Sequence, residues 1–505
     1  MPAVAIKQRK PVIRLMLNNR FRNMPRWIIG WTVRNSMITN RAAKTSQVMN
    51  RATTFVVYAF VGRYLGVAEF GVLSLGLTLM YTFQIFAVAG LKLLITREIS
   101  REPERTNKYI VNGTIAVMTF SLVSFLALGL FVLAMNYSTQ TSEVILLLGL
   151  ALIPYALTNI CEAVFQAWER MHYIAYGNVP ANILKVVGAW YILDNGYSIH
   201  YLALLFIVCY VLVFSIEWWY MMKNITKLHI EFDYQFTRGM LVKTLPFLGM
   251  ESVIAIWASI DAVLLSKLSD EFSLGLYNAS AQLLVPAILV IENLAFSIFP
   301  LMCRKFDMGI ENLKNVYEYL VEALLAIALP AAVGLSFLAG PILLLLYGGD
   351  NFSQGAVVLQ LLVWILIPIA FTNALGQVLM ASLQETLTLK IVVVNMIISI
   401  VLGIVFIIPL GVIGAALSTV ISQGVNLLQH YFPTAKTLRG INLWNVFWKP
   451  MVATLVMAGY LFLVSNMSIW FVIPSAALVY GVCLVGILIL TSGSIAQFRE
   501  RYFLT

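Results

Sequence analysis

Charged and amide side chains recur at helical spacing inside segments that are otherwise apolar. Asn178, Asn182 and Lys185 follow one another at intervals of four and three residues, so they share one face of a helix. Polar side chains inside apolar helices are costly and usually face an interior or a water-filled space. This stripe therefore predicts a binding surface for a polar molecule. A buried ion pair between Lys185 and a carboxylate of another helix is the alternative.

A second stripe contains Asn159, Glu162 and Gln166, again on one helical face. Arg51 and Lys92 lie near the ends of other apolar segments, where they could face a cavity or extend to the membrane surface. Hydrogen bonding between helices is the alternative for the amide side chains. The candidate substrate-binding residues are Arg51, Lys92, Asn159, Glu162, Asn178, Asn182 and Lys185.

Three acidic residues lie inside later apolar segments, namely Glu251, Asp261 and Glu292. Burial would favour the protonated form of such a carboxylate and let it exchange a proton. These residues are therefore candidates for coupling to H⁺ or Na⁺. A salt bridge to a cation of the first half is the alternative for Asp261 and Glu292.

The elements that position these side chains follow from composition. The chain has 505 residues, of which 60% are hydrophobic and 11% charged, whereas soluble proteins carry about 25% charged residues. The apolar segments are continuous rather than alternating, and about 20 apolar residues cross a bilayer as a helix. The sequence therefore predicts an all-α integral membrane protein with about fourteen transmembrane helices. The predicted helices 391–409 and 410–433 are separated by a break that depends on Pro409 and Gly411.

The distribution of basic residues predicts the orientation. Alternate loops and both termini hold 28 of the 33 Lys and Arg residues, and ten of them lie in residues 1–44. Because basic residues accumulate on the cytoplasmic side, we expect both termini in the cytoplasm and the protein in the plasma (inner) membrane. The net charge of +10 then reflects topology and contact with membrane lipids, not nucleic-acid binding.

An internal repeat divides the chain. Residues 154–167 and 368–381 are identical at six of fourteen positions, at an offset of 214. Six helices separate the copies, so both enter the membrane in the same orientation as parallel repeats. Chance similarity between apolar segments is the alternative. The predicted divisions are a basic cytoplasmic arm (1–44), an N-lobe (45–222), a cytoplasmic linker (223–243), a C-lobe (244–433), helices 13 and 14 (434–490) and a cytoplasmic tail (491–505).

Cysteine and histidine spacing predicts no metal site and no cofactor. The four cysteines are far apart, and the four histidines form no pair at ligand spacing. Free, packed thiols are the simpler interpretation.

The segment GRYLGVAEFGVLS at 62–74 and the related LGLY at 274–277, combined with about fourteen helices in a 6+6+2 arrangement, resemble the polysaccharide-biosynthesis flippase family. Its superfamily also contains multidrug-and-toxin extrusion antiporters and lipid II flippases. The resemblance implies two bundles around a central cavity and translocation of polyprenyl-pyrophosphate-linked oligosaccharide. It also implies that glycosyltransferases and a polysaccharide polymerase are partners of the protein. The long arm 1–44 departs from the usual pattern, and no role follows for it.

Three other functions stay open. A multidrug antiporter exporting cations is disfavoured by Arg51 and Lys185, while a lipid II flippase is not sharply separated from the first hypothesis. A membrane enzyme acting on lipid-linked sugars would need a water-facing catalytic site. The chain has no D-x-D sequence and no G-x-x-x-x-G-K sequence for ATP. We therefore expect a transporter and not an enzyme, with no catalytic residues.

Overall fold

The protein, seen in a computed structural model, is described over residues 49–226, 229–441, 443–464 and 467–492. The predicted arm 1–44 and nearly all of the predicted tail lie outside these ranges. Within them the chain is helical and contains no β-strand, which confirms the predicted all-α class.

The first lobe consists of eight helices. They are α1 (49–65), α2 (Val67–Val88), α3 (Leu91–Arg101), α4 (Thr106–Met135), α5 (Thr139–Leu150), α6 (Leu152–Ala167), α7 (His172–Asp194) and α8 (Ile199–Asn224).

The second lobe and the two helices that follow it continue the bundle. They are α9 (Tyr234–Leu268), α10 (Glu271–Gln282), α11 (Val285–Met308), α12 (Ile310–Phe337), α13 (Ala339–Tyr347), α14 (Ala356–Leu362), α15 (Leu366–Ala381), α16 (Glu385–Thr437), α17 (Leu443–Leu463) and α18 (Ile469–Ser492).

Within the described ranges, ten helices are long and apolar enough to cross a membrane, or up to eleven when a bent pair inside α9 is included. The exact number of fourteen stays a prediction. One reason for the lower number is α16, a single element of 53 residues with a non-helical residue at Gly411 (φ 56°, ψ −130°). Its two halves fold back on each other, because the Ser399 and Ser422 hydroxyls form a hydrogen bond. The break predicted at Pro409 and Gly411 is therefore present.

The two lobes repeat each other in local detail. Thr158 and Thr372 each donate a hydrogen bond to the carbonyl oxygen four residues earlier, at 2.8 and 2.7 Å. Asn159 and Asn373 do the same at 2.9 and 3.0 Å. The sequence repeat thus corresponds to a repeat of side-chain geometry in α6 and α15.

The lobes meet where α2 crosses α10. A Cβ atom on Gly71 would lie 2.1 Å from the carbonyl oxygen of the residue four positions before Gly275, and a Cβ on Gly275 would lie 2.0 Å from the carbonyl oxygen four positions before Gly71. Both helix backbones touch directly, so only glycine fits at either position. The side chain of Asn278 donates to Ser74 across the same crossing, at 2.8 Å.

The last two helices are tied to the second lobe. The two helices α17 and α18 pack together, and α17 also packs on α12. Lys449 of α17 pairs with Glu322 of α12 at 2.7 Å, and both side chains are close to fully buried. Removal of one partner of a buried ion pair strongly destabilises a protein, so this contact helps to hold α17 against α12.

Helix α8 ends at Asn224 and α9 begins at Tyr234, within the stretch 223–243 that was predicted as the linker. The second lobe begins at Tyr234 because Asp233 accepts the backbone N–H of Phe236 at 2.9 Å and caps α9. Asp233 also pairs with Lys108 of α4 at 2.7 Å. The hydrogen bond from Lys108 is the largest cause that holds the pKa of Asp233 below its ordinary value, and the capping bond adds to it.

Candidate functional site

A polar cavity of about 710 Å³ lies in the first lobe. Helices α1, α2, α3, α6, α7 and α8 supply most of its walls. Of the described residues that line it, Gln282 and Val285 come from the second lobe, at the junction of α10 and α11. The cavity therefore lies at the boundary between the lobes, although its polar chemistry belongs mainly to the first.

The structure brings all seven candidate substrate-binding residues to this cavity. They are Arg51, Lys92, Asn159, Glu162, Asn178, Asn182 and Lys185. The three candidate ion-coupling residues, Glu251, Asp261 and Glu292, are not among its lining residues.

Lys185 lies midway along α7, and only 7% of the residue is exposed. Its Nζ donates to the side-chain oxygen of Asn50 at 3.1 Å and lies 5.4 Å from the centre of the Phe206 ring. In the described part of the chain, no carboxylate lies within the 4.0 Å limit for an ion pair with Lys185. The ammonium is therefore held by a neutral amide and a ring face, so its charge is available to an anion.

Lys92 has a different environment, because it forms a salt bridge with Glu162 across the cavity wall. Their side chains are 30% and 19% exposed, so the pair is in contact with the cavity yet partly shielded from it. This pair neutralises one cation and one anion of the predicted set. Lys185 and the exposed Arg51 consequently supply the positive charge of the cavity.

Tyrosine side chains that were not predicted from the sequence form part of the wall. Tyr81, Tyr155 and Tyr210 line the cavity, and the rings of Tyr155 and Tyr210 meet edge-to-face with centroids 5.8 Å apart. Such rings combine an apolar face with a hydroxyl, which suits a sugar. Helical spacing could have indicated Tyr155, because it precedes Asn159 by four residues and so shares its face.

None of the three candidate acids is among the described residues that line the cavity, although Glu251 is near enough to Lys92, and Glu292 to Arg51, for their charges to interact. Asp261 accepts hydrogen bonds from the hydroxyls of Tyr277 at 3.2 Å and Thr419 at 3.1 Å, both within the second lobe. The alternative of a salt bridge between Asp261 and a first-lobe cation is thus not what the structure contains. Glu251 and Glu292 are partly exposed on α9 and α11.

The far end of α1 is closed by contacts that run in both directions between the lobes. Arg63, of the first lobe, donates to the carbonyl oxygens of Leu345 and Leu346 at the end of α13, the latter at 2.9 Å. Lys267, of the second lobe, donates to the carbonyl oxygen of Met135 at the end of α4. We call this pair of contacts the Arg63 end.

Between the cavity and the Arg63 end, four rings from both lobes pack together: Tyr58, Phe70, Tyr347 and Phe352. We call them the aromatic seal. Phe70 and Tyr347 are 0% and 1% exposed, with ring centroids 5.3 Å apart. Tyr58 also lines the cavity, so the aromatic seal forms its floor.

The protein has two lobes of repeated helices, and many of these helices are long enough to span a bilayer. A polar cavity at the boundary of the lobes is closed at one end. These features define a multi-pass membrane protein with a transporter fold. A family model described as polysaccharide biosynthesis protein matches residues 42–306, and the chain belongs to this family. A second model, lipid II flippase MurJ, matches residues 226–481. The family resemblance expected from the sequence is confirmed.

Two curated proteins are similar over most of their lengths. The capsular polysaccharide biosynthesis protein CapF of Staphylococcus aureus is 22% identical over 360 residues, covering 70% of this chain and 89% of CapF. The probable low-salt glycan biosynthesis flippase Agl15 of Haloferax volcanii is 20% identical over 425 residues, covering 83% of this chain and 87% of Agl15.

Solved structures confirm the fold. The lipid II flippase MurJ in an inward closed conformation superposes with a TM-score of 0.72 at 18% identity, over 90% of this chain and 99% of MurJ. An inward-facing multidrug resistance transporter of the MATE family gives 0.64 at 14% identity, over 77% of this chain and 95% of that protein.

Proposed function

We propose that this protein is a flippase that moves a polyprenyl-pyrophosphate-linked oligosaccharide from the inner to the outer leaflet for cell-surface polysaccharide synthesis. Membership of the polysaccharide biosynthesis family and similarity to CapF and Agl15 support this class of substrate. The observation that carries the proposal is Lys185, a buried ammonium whose partner in the cavity is a neutral amide.

The cavity matches the head of such a molecule. Lys185 and Arg51 would attract the pyrophosphate, since opposite charges interact strongly where water is excluded. Asn159, Asn178 and Tyr155 provide amides, a hydroxyl and a ring face for sugar hydroxyls. A volume of about 710 Å³ lies within the range of small-molecule sites, so the cavity accommodates a head group while the lipid tail stays in the bilayer.

Alternating access is the proposed mechanism. The charge distribution favours a cytoplasmic location for both termini and for the cavity mouth beside Arg51 and Lys92, with the Arg63 end on the outside. In this arrangement the head group enters from the inner leaflet, while the aromatic seal and the Arg63 end are closed. Release requires both to open, with the lobes moving apart at this end, where α2 and α10 also cross.

Export of lipid II is the second candidate, and the match of residues 226–481 to the MurJ model favours it specifically. Both candidates carry pyrophosphate, so the cavity chemistry serves either. A cation antiporter fits less well, because Lys185 and Arg51 would repel a cation. In the cell we expect glycosyltransferases to supply the substrate and a polymerase to receive it.

Flipping of fluorescent lipid-linked oligosaccharide in proteoliposomes tests the proposal. We expect label to reach the opposite leaflet faster than in protein-free vesicles. Absence of movement for every polyprenyl-linked substrate, accompanied by exchange of a cationic dye, would favour the antiporter. Chemical conversion of the substrate would instead indicate an enzyme. Faster movement of labelled lipid II than of any oligosaccharide would select the second candidate.

A further inference from the structure

Glu217, on α8, is a carboxylate that no candidate site above includes. It is 0% exposed, and neither of its carboxyl oxygens has a hydrogen-bond partner among the described residues. An ionised carboxylate without partners is costly inside a membrane protein, while the neutral acid is tolerated far better. The environment of Glu217 therefore suits the protonated form in this conformation.

A glycine on the neighbouring helix makes room for the side chain of Glu217. Helix α7 crosses α8 at Gly177, where a Cβ atom would lie 2.9 Å from Cγ and 3.1 Å from Oε1 of Glu217. The missing side chain at Gly177 is thus what admits the carboxyl group between the helices. Any larger residue at position 177 would have to displace it.

Glu217 lies directly behind the cavity wall. Tyr210 and Val213, which line the cavity, precede it by seven and four residues and so share its helical face. The charges that act on it are those of Glu162 on α6 and Lys92 on α3, which form the salt bridge in the cavity wall. Among the described residues, the buried thiol of Cys161 on α6 is a further titratable neighbour, and the contact from α7 is Gly177.

We propose that Glu217 is a proton-binding site that couples flipping to a proton gradient, with the Lys92–Glu162 pair as its connection to the cavity. The inference rests on the proposed function. On release, an O–H bond of Glu217 breaks and the proton passes to the Glu162 carboxylate. Lys92, freed from Glu162, then pairs with the Glu217 carboxylate, and Glu162 passes its proton to cavity water. The total charge of the three groups falls by one when that proton leaves.

The coupling follows from the position of the pair. While Glu217 is protonated, Lys92 is neutralised by Glu162 and adds little to the attraction of an anion. After proton release the three side chains carry one positive and two negative charges, so a bound pyrophosphate is held less firmly. Binding of the substrate and binding of the proton therefore favour each other, which is thermodynamic linkage between two sites.

The variant Glu217→Gln tests the site, because glutamine has nearly the same shape and cannot release a proton. Because proton and substrate favour each other's binding, they should cross together. Reconstituted wild-type protein should therefore flip fluorescent lipid-linked oligosaccharide faster when the side from which the substrate departs is made the more acidic, and slower when the gradient is reversed. The variant should flip without a gradient and lose the acceleration. Equal acceleration of wild type and variant would overturn the inference. Absence of flipping by wild-type protein under every condition would instead overturn the proposed function.

A matched change, Glu143→Gln, removes a carboxylate that pairs with His200 away from the cavity and should leave the acceleration intact. An infrared titration of purified protein supplies a readout that does not depend on transport. Wild type should show the C=O band of a protonated carboxyl group that Glu217→Gln lacks and Glu143→Gln retains. A band present in all three proteins at equal intensity would contradict the assignment, even if the Glu217 variant transported poorly.

Discussion

The two lobes share their packing and differ in their chemistry. Thr158 and Asn159 make the same backbone contacts as Thr372 and Asn373, and each lobe sends one cation across the Arg63 end. In the cavity the correspondence stops. The first lobe buries the ammonium of Lys185 against an amide, whereas the second satisfies its acid with hydroxyl groups of its own helices. Repetition thus builds the scaffold, and single side chains in one half make it a binding site.

The largest expected effect is at the glycine crossing. Gly71→Ala and Gly275→Ala each place a Cβ atom about 2 Å from a backbone oxygen, and such overpacking costs about 1–3 kcal/mol or more. Both variants should lower the unfolding temperature in detergent to a similar degree. Gly424→Ala, where a Cβ would meet nothing within 4 Å, is the control. If only one of the two variants lowered the unfolding temperature, the two glycines would contribute unequally to stability at the crossing.

Next in size is the effect of Lys185→Ala on transport. A hydrogen bond to a charged group contributes about 1.5–3 kcal/mol, so the concentration of substrate for half-maximal flipping should rise about tenfold or more. Membrane abundance should stay unchanged. Lys223→Ala, at the end of α8 and over the ring of Trp219, provides a matched loss of one lysine. Normal transport by the Lys185 variant would remove this residue from the site.

The acid of the second lobe gives the converse prediction. If Asp261 forms an ion site of the second lobe, in addition to Glu217 and separate from substrate binding, Asp261→Asn should change the Na⁺ or H⁺ dependence of flipping and leave the apparent affinity for substrate nearly the same. Asparagine keeps an oxygen that can accept from Tyr277 and Thr419. A loss of substrate affinity as large as that of the Lys185 variant would erase the proposed division.

A smaller effect is expected at the Arg63 end. Arg63→Ala and Lys267→Ala each remove a hydrogen-bonded contact between the lobes. A hydrogen bond contributes a net free energy of about 0.5–1.5 kcal/mol, so the ratio of molecules open at this end to molecules closed there should rise about two- to tenfold. Reaction of a cysteine introduced at Tyr347 with a water-soluble thiol reagent would report it, in a chain whose own cysteines are replaced. Unequal increases for the two variants would show that one lobe holds this end more firmly.

The smallest effect concerns the surface pair of Lys108 and Asp233. The pKa of Asp233 is lowered from its ordinary value of 3.8, first by the hydrogen bond from Lys108. Its contribution to stability is therefore present above the ordinary pKa and lost as pH falls through the lower, folded value. Lys108→Ala should slightly reduce the unfolding temperature at neutral pH, and the difference from wild type should vanish under strongly acidic conditions.

Helical class, the repeat and the break at Gly411 could all be predicted, because lipid imposes apolar length and because Pro and Gly interrupt helices in known ways. Seven of the polar residues that line the cavity could be predicted from the cost of placing such side chains in lipid. Glu217 escaped attention although it lies within an apolar helix, since it belongs to no polar stripe. Partners such as Glu162 for Lys92 and Asn50 for Lys185 are separated in sequence by 70 and 135 residues, and single-helix periodicity carries no information on contacts between helices.

The closed floor of the cavity also matters for a cell that is not exporting glycan. With Phe70 and Tyr347 in contact and fully buried, apolar rings close the polar cavity at one end, and we expect this closure to block the passage of ions. The membrane potential should then be preserved while the protein has no substrate bound. Replacement of these rings by smaller side chains would therefore dissipate the membrane potential in growing cells. An assay of glycan export would not detect that effect.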